Sequence, residues 1–137
     1  MVMMKVKLDA QLIQTINYFQ NMTGSSVIDC ISENSEIYFV VAKGHYGLSV
    51  GRGGSKIRNA ERMLKKSIRI FEYSEQPEEF IKNAIPEAQE IIMKEDSIEV
   101  RVKQQDRAKV IGKAGKNIKI INRFLERLYG KNNLKVK

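Results

Sequence analysis

The sequence predicts an α+β fold made of two tandem units, each a three-stranded sheet packed against helices. Three observations carry the prediction. A glycine-bracketed turn occurs twice, V-G-R-G-G-S-K-I from Val50 and I-G-K-A-G-K-N-I from Ile111, which sets Gly51 and Gly112 61 residues apart. The match runs on without a gap, pairing Ile37 with Ile98, Val41 with Val102, Ile57 with Ile118, Arg62 with Arg123 and Leu64 with Leu125. A coincidence of that length points to a tandem duplication of about 60 residues. In each copy two short apolar runs precede the turn, a helical pattern follows it, and one strand pattern closes the unit.

The elements follow in chain order. Leu12, Ile13, Ile16 and Phe19 make one face of a helix that starts near Asp9 and stops at Thr23-Gly24. The runs "SVIDCI" and "EIYFVV", split by Glu33-Asn34-Ser35, read as a hairpin. A short helix then leads into the first turn. Ile57, Ala60 and Leu64 keep helical spacing after it, and "SIRIFEY" is the closing strand. The boundary is expected near residues 74–76, giving a first domain over residues 1–75 and a second over 76–137. Gln76-Pro77-Glu78-Glu79 starts a linker helix, with Pro at its first position and acids in its first turn. Phe80, Ile81 and Ala84 share a face before Pro86 stops it. "EAQEIIM" and "SIEVRV" around Lys94-Glu95-Asp96 form the second hairpin. Ile118, Ile121, Leu125 and Leu128 mark the second helix after a turn, and "NLKVK" alternates Leu134 and Val136 with polar neighbours as a last strand.

Charge and composition narrow the function. Hydrophobic residues make up 42% and charged residues 29%, a globular balance. The net charge of +8 is unevenly spread. Residues 43–69 hold eight Lys and Arg against Glu61 alone, and residues 101–137 hold twelve against Asp106 and Glu126. Both basic stretches surround a glycine turn, which implies a polyanion partner. The start "MVMMKVKLDA" lacks the apolar core of a signal peptide, and no apolar run approaches the roughly 20 residues a membrane span needs. A cytoplasmic monomer with no membrane contact is expected. Cys30 stands alone, so an internal disulfide is excluded and a buried, reduced thiol is expected. One His, one Cys, no metal-ligand cluster and no G-x-S-x-G argue against an enzyme, a metal or a cofactor.

The turns themselves suggest what they hold. In a G-x-x-G between two helices, the first glycine is expected to take the left-handed cap that ends one helix, and the last to admit another backbone. Free amides at the start of the next helix suit phosphate oxygens, with Arg52, Lys56, Lys113 and Lys116 adding charge beside them. His45 and Tyr46 stand just ahead of the first turn, where a ring can stack on a base; a packed tyrosine and an exposed histidine is the structural alternative.

The two motifs resemble the signature of KH domains, in which a GXXG loop clamps the backbone of about four nucleotides. Two strands before the motif and one after it resemble the type II, or prokaryotic, arrangement. Two such domains, with Gly44-His45-Tyr46-Gly47 ahead of the first motif, are similar to the archaeal NusA-like transcription termination and antitermination factors. Bacterial NusA carries an N-terminal polymerase-binding domain and an S1 domain ahead of its KH pair, and neither is recognised in this sequence. The resemblance implies single-stranded RNA binding, with RNA polymerase or other transcription factors as further partners. It implies that Gly51, Arg52, Gly53 and Gly54, and Gly112, Lys113, Ala114 and Gly115, clamp RNA backbone. Lys56 and Arg58, with Lys116 and Lys119, would add charge, and Val50, Ile57, Ile111 and Ile118 would floor an apolar groove under the bases. Arg101 and Lys103 are nominated to read base edges from the adjacent strand. The alternatives are a KH-type ribosome-assembly or translation-associated factor, and a basic adaptor for an acidic protein.

Overall fold

Residues 10–137 are described by the structure, a computed structural model. Asp9, where the first helix is expected to start, lies outside the described residues. Backbone contacts divide the chain into two units between Ser74 and Glu75. Each is α+β, with a small three-stranded sheet packed against helices.

The first unit begins with helix α1 (Ala10–Thr23), which buries Ile16 and Phe19 and ends where Gly24 takes a φ of 78°. Strands β1 (Val27–Ser32) and β2 (Glu36–Val41) pair antiparallel through the expected turn, with a register irregularity between Val27 and Asp29. Helix α2 (Tyr46–Val50), a 3-10 turn (Arg52–Gly54) and helix α3 (Ser55–Leu64) then carry the chain to β3 (Ser67–Glu72), which pairs parallel to β2 from Glu36↔Ser67 to Val41↔Glu72. The loop is thus the midpoint of a crossover between neighbouring strands. Ile16, Phe19, Cys30, Ile37, Phe39, Val41, Ala60, Ile68 and Ile70 form the core between helices and sheet, and the rings of Phe19 and Phe39 stack at 4.0 Å. Cys30 is fully buried within it.

The second unit repeats the order. Helix α4 (Pro77–Ala84) buries Phe80, Ile81 and Ala84. Strands β4 (Glu90–Met93) and β5 (Ile98–Arg101) pair antiparallel, and helix α5 (Gln104–Ile111), a 3-10 turn (Lys113–Gly115) and helix α6 (Lys116–Tyr129) lead to β6 (Leu134–Val136), parallel to β5. Strand β4 is shorter than "EAQEIIM" suggests. After Pro86 the chain turns, with the Ala88 amide donating to Ile85 O, and Lys82 Nζ donates to the carbonyls of both Pro86 and Ala88. Residues 87–89 are spent on that turn.

The duplication is legible in a hydrogen-bond device as well as in the loops. Glu61 on α3 accepts the amide of Ile68 at 2.9 Å, and Asn122, 61 residues on, accepts the amide of Leu134 at 2.8 Å. Asn122 also donates to Leu134 O at 3.2 Å. In both units the helix after the loop therefore holds the last strand by the same backbone group. The copies diverge beyond that point: α3 ends on Lys65 at φ 58°, whereas α6 runs on to Gly130 at φ 67°.

Candidate nucleic-acid interface

The two glycine turns have the same shape. Gly51 and Gly112 have φ/ψ of 77°/169° and 81°/166°, Gly53 and Ala114 of 59°/21° and 56°/27°, and Gly54 and Gly115 of 78°/16° and 74°/16°. The roles of the outer glycines are the reverse of those expected. The first is not a left-handed cap: with ψ near 170° it occupies a region essentially reserved for glycine. It is also where the backbones approach, because a Cβ on Gly51 would stand 2.9 Å from Lys56 N, and one on Gly112 2.9 Å from Asn117 N. The last glycine is the left-handed residue, and it sits at the N-cap of the following helix.

The amides follow from this geometry. Gly54 N donates to Gly51 O and Ser55 N to Arg52 O; Gly115 N donates to Gly112 O and Lys116 N to Lys113 O. The amide that opens each following helix, that of Ser55 or Lys116, is therefore engaged. The first two N–H groups of a 3-10 turn precede its bonds, so the amides of Arg52 and Gly53, and of Lys113 and Ala114, are not used within the turn. Those four residues are all exposed. Neither Arg52 nor Lys113 has a side-chain partner among the described residues.

The other predicted residues divide into three groups. Lys56 and Arg58 brace the loop: Lys56 Nζ donates to Thr23 O at 3.0 Å, tying the loop to the end of α1, and the exposed Arg58 donates through Nη1 to Gly53 O at 2.6 Å. In the second unit Asn117 replaces Lys56 and donates to Lys109 O instead, and Lys119 is left exposed. Val50, Ile57, Ile111 and Ile118 are half-buried beside the loops, and Val50 and Ile57 pack against the first core, so they serve the core and still show a surface. Arg101 ends β5 and faces Glu90 at 3.4 Å, and Lys103 is not on the strand but at the N-cap of α5.

His45 and Tyr46 reverse the alternative of a packed tyrosine and an exposed histidine. His45 is half-buried, its Nδ1 accepting the Ser26 amide at 3.0 Å, while Tyr46 is 49% exposed. Glu72 Oε1 accepts the Tyr46 amide at 3.2 Å, which anchors the start of α2. Sequence reasoning missed Thr23, Glu72 and Ser26 as supports of the first loop, because each acts through a backbone or carboxylate contact far along the chain.

Comparison with known proteins places the chain. Over 97% of its length it is 37% identical to the probable transcription termination protein NusA of Methanococcus vannielii, 80% of which is covered. The chain belongs to this archaeal NusA family. It is also 28% identical to the NusA proteins of Methanocaldococcus jannaschii, over 91% of this chain and 72% of that one, and of Halococcus morrhuae, over 92% and 94%. The crystal structure of APE1850 matches with a TM-score of 0.75 at 28% identity, covering 95% of this chain and all of that one. No protein-family model matches the sequence. Among the described residues of this NusA-family chain, no helix is long and apolar enough to cross a membrane, and no group of three His, Cys, Asp or Glu is placed to hold a metal ion.

Proposed function

We propose that this chain is a transcription termination factor of the NusA kind that binds single-stranded RNA through two tandem type II KH domains, residues 1–75 and 76–137. The observation that carries the reading is the repetition of one loop geometry, torsion by torsion, in two basic surroundings. In each copy two loop-interior amides and one exposed cation without a side-chain partner among the described residues, Arg52 or Lys113, supply donors for a phosphate. The half-exposed Val50 and Ile57, and Ile111 and Ile118, supply the apolar floor on which bases rest. Lys56 and Arg58 act by holding the first loop in shape, while Lys116 and Lys119 add charge at the second. Arg101 and Lys103 flank the second groove, with Arg101 released from Glu90 when a base edge replaces it. The reading makes the chain a cytoplasmic, monomeric binding protein and not an enzyme, with RNA polymerase or other transcription factors as its protein partners.

Charge reversal inside the loops tests it. Arg52→Asp with Gly53→Asp, and Lys113→Asp with Ala114→Asp, should still fold, at a cost of about 1–2 kcal/mol for a side chain in the left-handed conformation of Gly53, because a Cβ there meets nothing within 4 Å and position 114 already carries one. Each pair should weaken single-stranded RNA binding about tenfold or more at fixed salt, as expected for losing a charge-assisted bond. Variants that bind as tightly as the parent would refute the loop grip. Retrieval from native lysate with ribosomal subunits alone, and never with polymerase, would refute the transcription role.

A further inference from the structure

The two loops share a backbone but not their surroundings. Helix α2 runs straight into the first loop, and Tyr46 lies one turn ahead of Val50, on the same helical face, with about 5–6 Å between their Cβ atoms. Tyr46 and Leu48 are 49% and 45% exposed, although the start of α2 is anchored by Glu72 and the Ser49 hydroxyl donates back to His45 O within the turn. A half-exposed ring on an anchored backbone therefore lies beside the half-buried Val50. The same offsets in the second unit carry Arg107 and Lys109, both exposed, with Lys109 paired to Glu87 at 3.1 Å. The charges divide in the opposite sense. At the first loop Lys56 and Arg58 are committed to the carbonyls of Thr23 and Gly53, leaving Arg52 free. At the second, Arg107, Lys113 and Lys119 are all exposed and without a side-chain partner among the described residues.

Resting on the RNA-binding reading, we propose that the two units divide recognition of one strand: the first seats a nucleobase on Tyr46 beside Val50, and the second grips phosphates through Arg107, Lys113 and Lys119. Stacking is insensitive to salt, whereas each phosphate contact releases counterions and steepens the salt dependence. The base-dependent part of the affinity then belongs to the first unit and the salt-dependent part to the second.

The test uses the full chain, fluorescence anisotropy, and two probes: a short single-stranded RNA of mixed sequence, and an abasic strand with the same phosphates. Tyr46→Ala should weaken the intact RNA about five- to a hundredfold with the salt slope unchanged, and leave the abasic strand unaffected. Tyr46→Phe should restore binding, and Met63→Ala, an exposed apolar residue far along α3, should change neither probe. Arg107→Ala with Lys113→Ala should lower the log–log salt slope by about 0.7 per lost contact on both probes. The inference is overturned if Tyr46→Ala leaves the intact RNA unaffected. An equal loss on both probes, or a slope change from Tyr46→Ala as large as that from the cation pair, also overturns it. A parent protein that binds neither probe overturns the RNA-binding reading itself, whereas one that binds both yet ignores Tyr46→Ala refutes only the division.

Discussion

Gly51→Ala should damage the first unit far more than Gly53→Ala, although only one residue separates them. At φ 77° and ψ 169°, Gly51 occupies a region that costs a residue with a side chain about 1–3 kcal/mol. The new Cβ would stand 2.7 Å from Lys56 Cγ and 2.9 Å from Lys56 N. The first contact can be relieved by rotating the lysine, but that releases its bond to Thr23 O, and the second is backbone at the start of α3. Overlap of this kind adds a further 1–3 kcal/mol or so, for a total of about 2–6 kcal/mol. Gly53, at φ 59° and ψ 21°, has nothing within 4 Å of its Cβ direction, and Ala114 occupies the equivalent position, so Gly53→Ala should cost only about 1–2 kcal/mol. In a unit of this size each kcal/mol moves the melting temperature by roughly 4–8 °C. Calorimetry combined with amide exchange at α3 and β3 would therefore find the first unit melting about 10 °C or more lower in Gly51→Ala, and clearly less shifted in Gly53→Ala. Equal shifts in the two variants would refute the assignment of the close approach to the first glycine.

The same torsions make Ala114→Gly a stabilising change: relief of the left-handed alanine exceeds the added freedom of the unfolded chain by about 0.5–1 kcal/mol, and a lower urea midpoint would contradict this. Glu99 gives a pH dependence. Its carboxyl is held below the usual carboxylate range, chiefly by the hydrogen bond from Lys94 at 2.9 Å, against partial desolvation, with the charges of Lys94, Lys137 and Arg101 assisting. A lowered folded value means stability that is present above the unfolded value of about 4.3 and lost as the pH falls through the folded one. Urea midpoints of Glu99→Gln and the parent should accordingly differ near neutrality and converge in acid, and a pH-independent gap would exclude this role.

What was legible in the sequence and what was not have separate physical causes. The duplication, the three strand patterns of each unit and the helix after each loop could be read because burial imposes periodicity, as Phe39, Val41, Ile98 and Val100 show. The cores of β2 and α4 lie where the apolar spacing puts them. Strand β4 was overextended because Ala88 is buried in a turn, and burial alone does not distinguish a turn from a strand. The width of the α6 face was underestimated: Ile120 and Phe124 are buried beside Ile121 and Leu125. At the loops, the motif located the residues but not their work. Torsions decide which glycine is indispensable, and partners such as Thr23 and Glu72 decide which cations and amides are engaged; neither is written in local spacing.

Each loop is the middle of a connection whose two ends enter hydrogen-bonded neighbours, β2 and β3 in one unit and β5 and β6 in the other, with Glu61 or Asn122 fastening the far end. Loop shape and sheet integrity are consequently linked functions. A substitution in the core at Phe39 would loosen the first loop without touching it. Conversely, any molecule that selects the ordered form of one loop must raise the melting temperature of that unit by mass action, in proportion to the logarithm of its concentration over its dissociation constant. Thermal shifts resolved by unit would then report which loop is occupied, whatever the ligand.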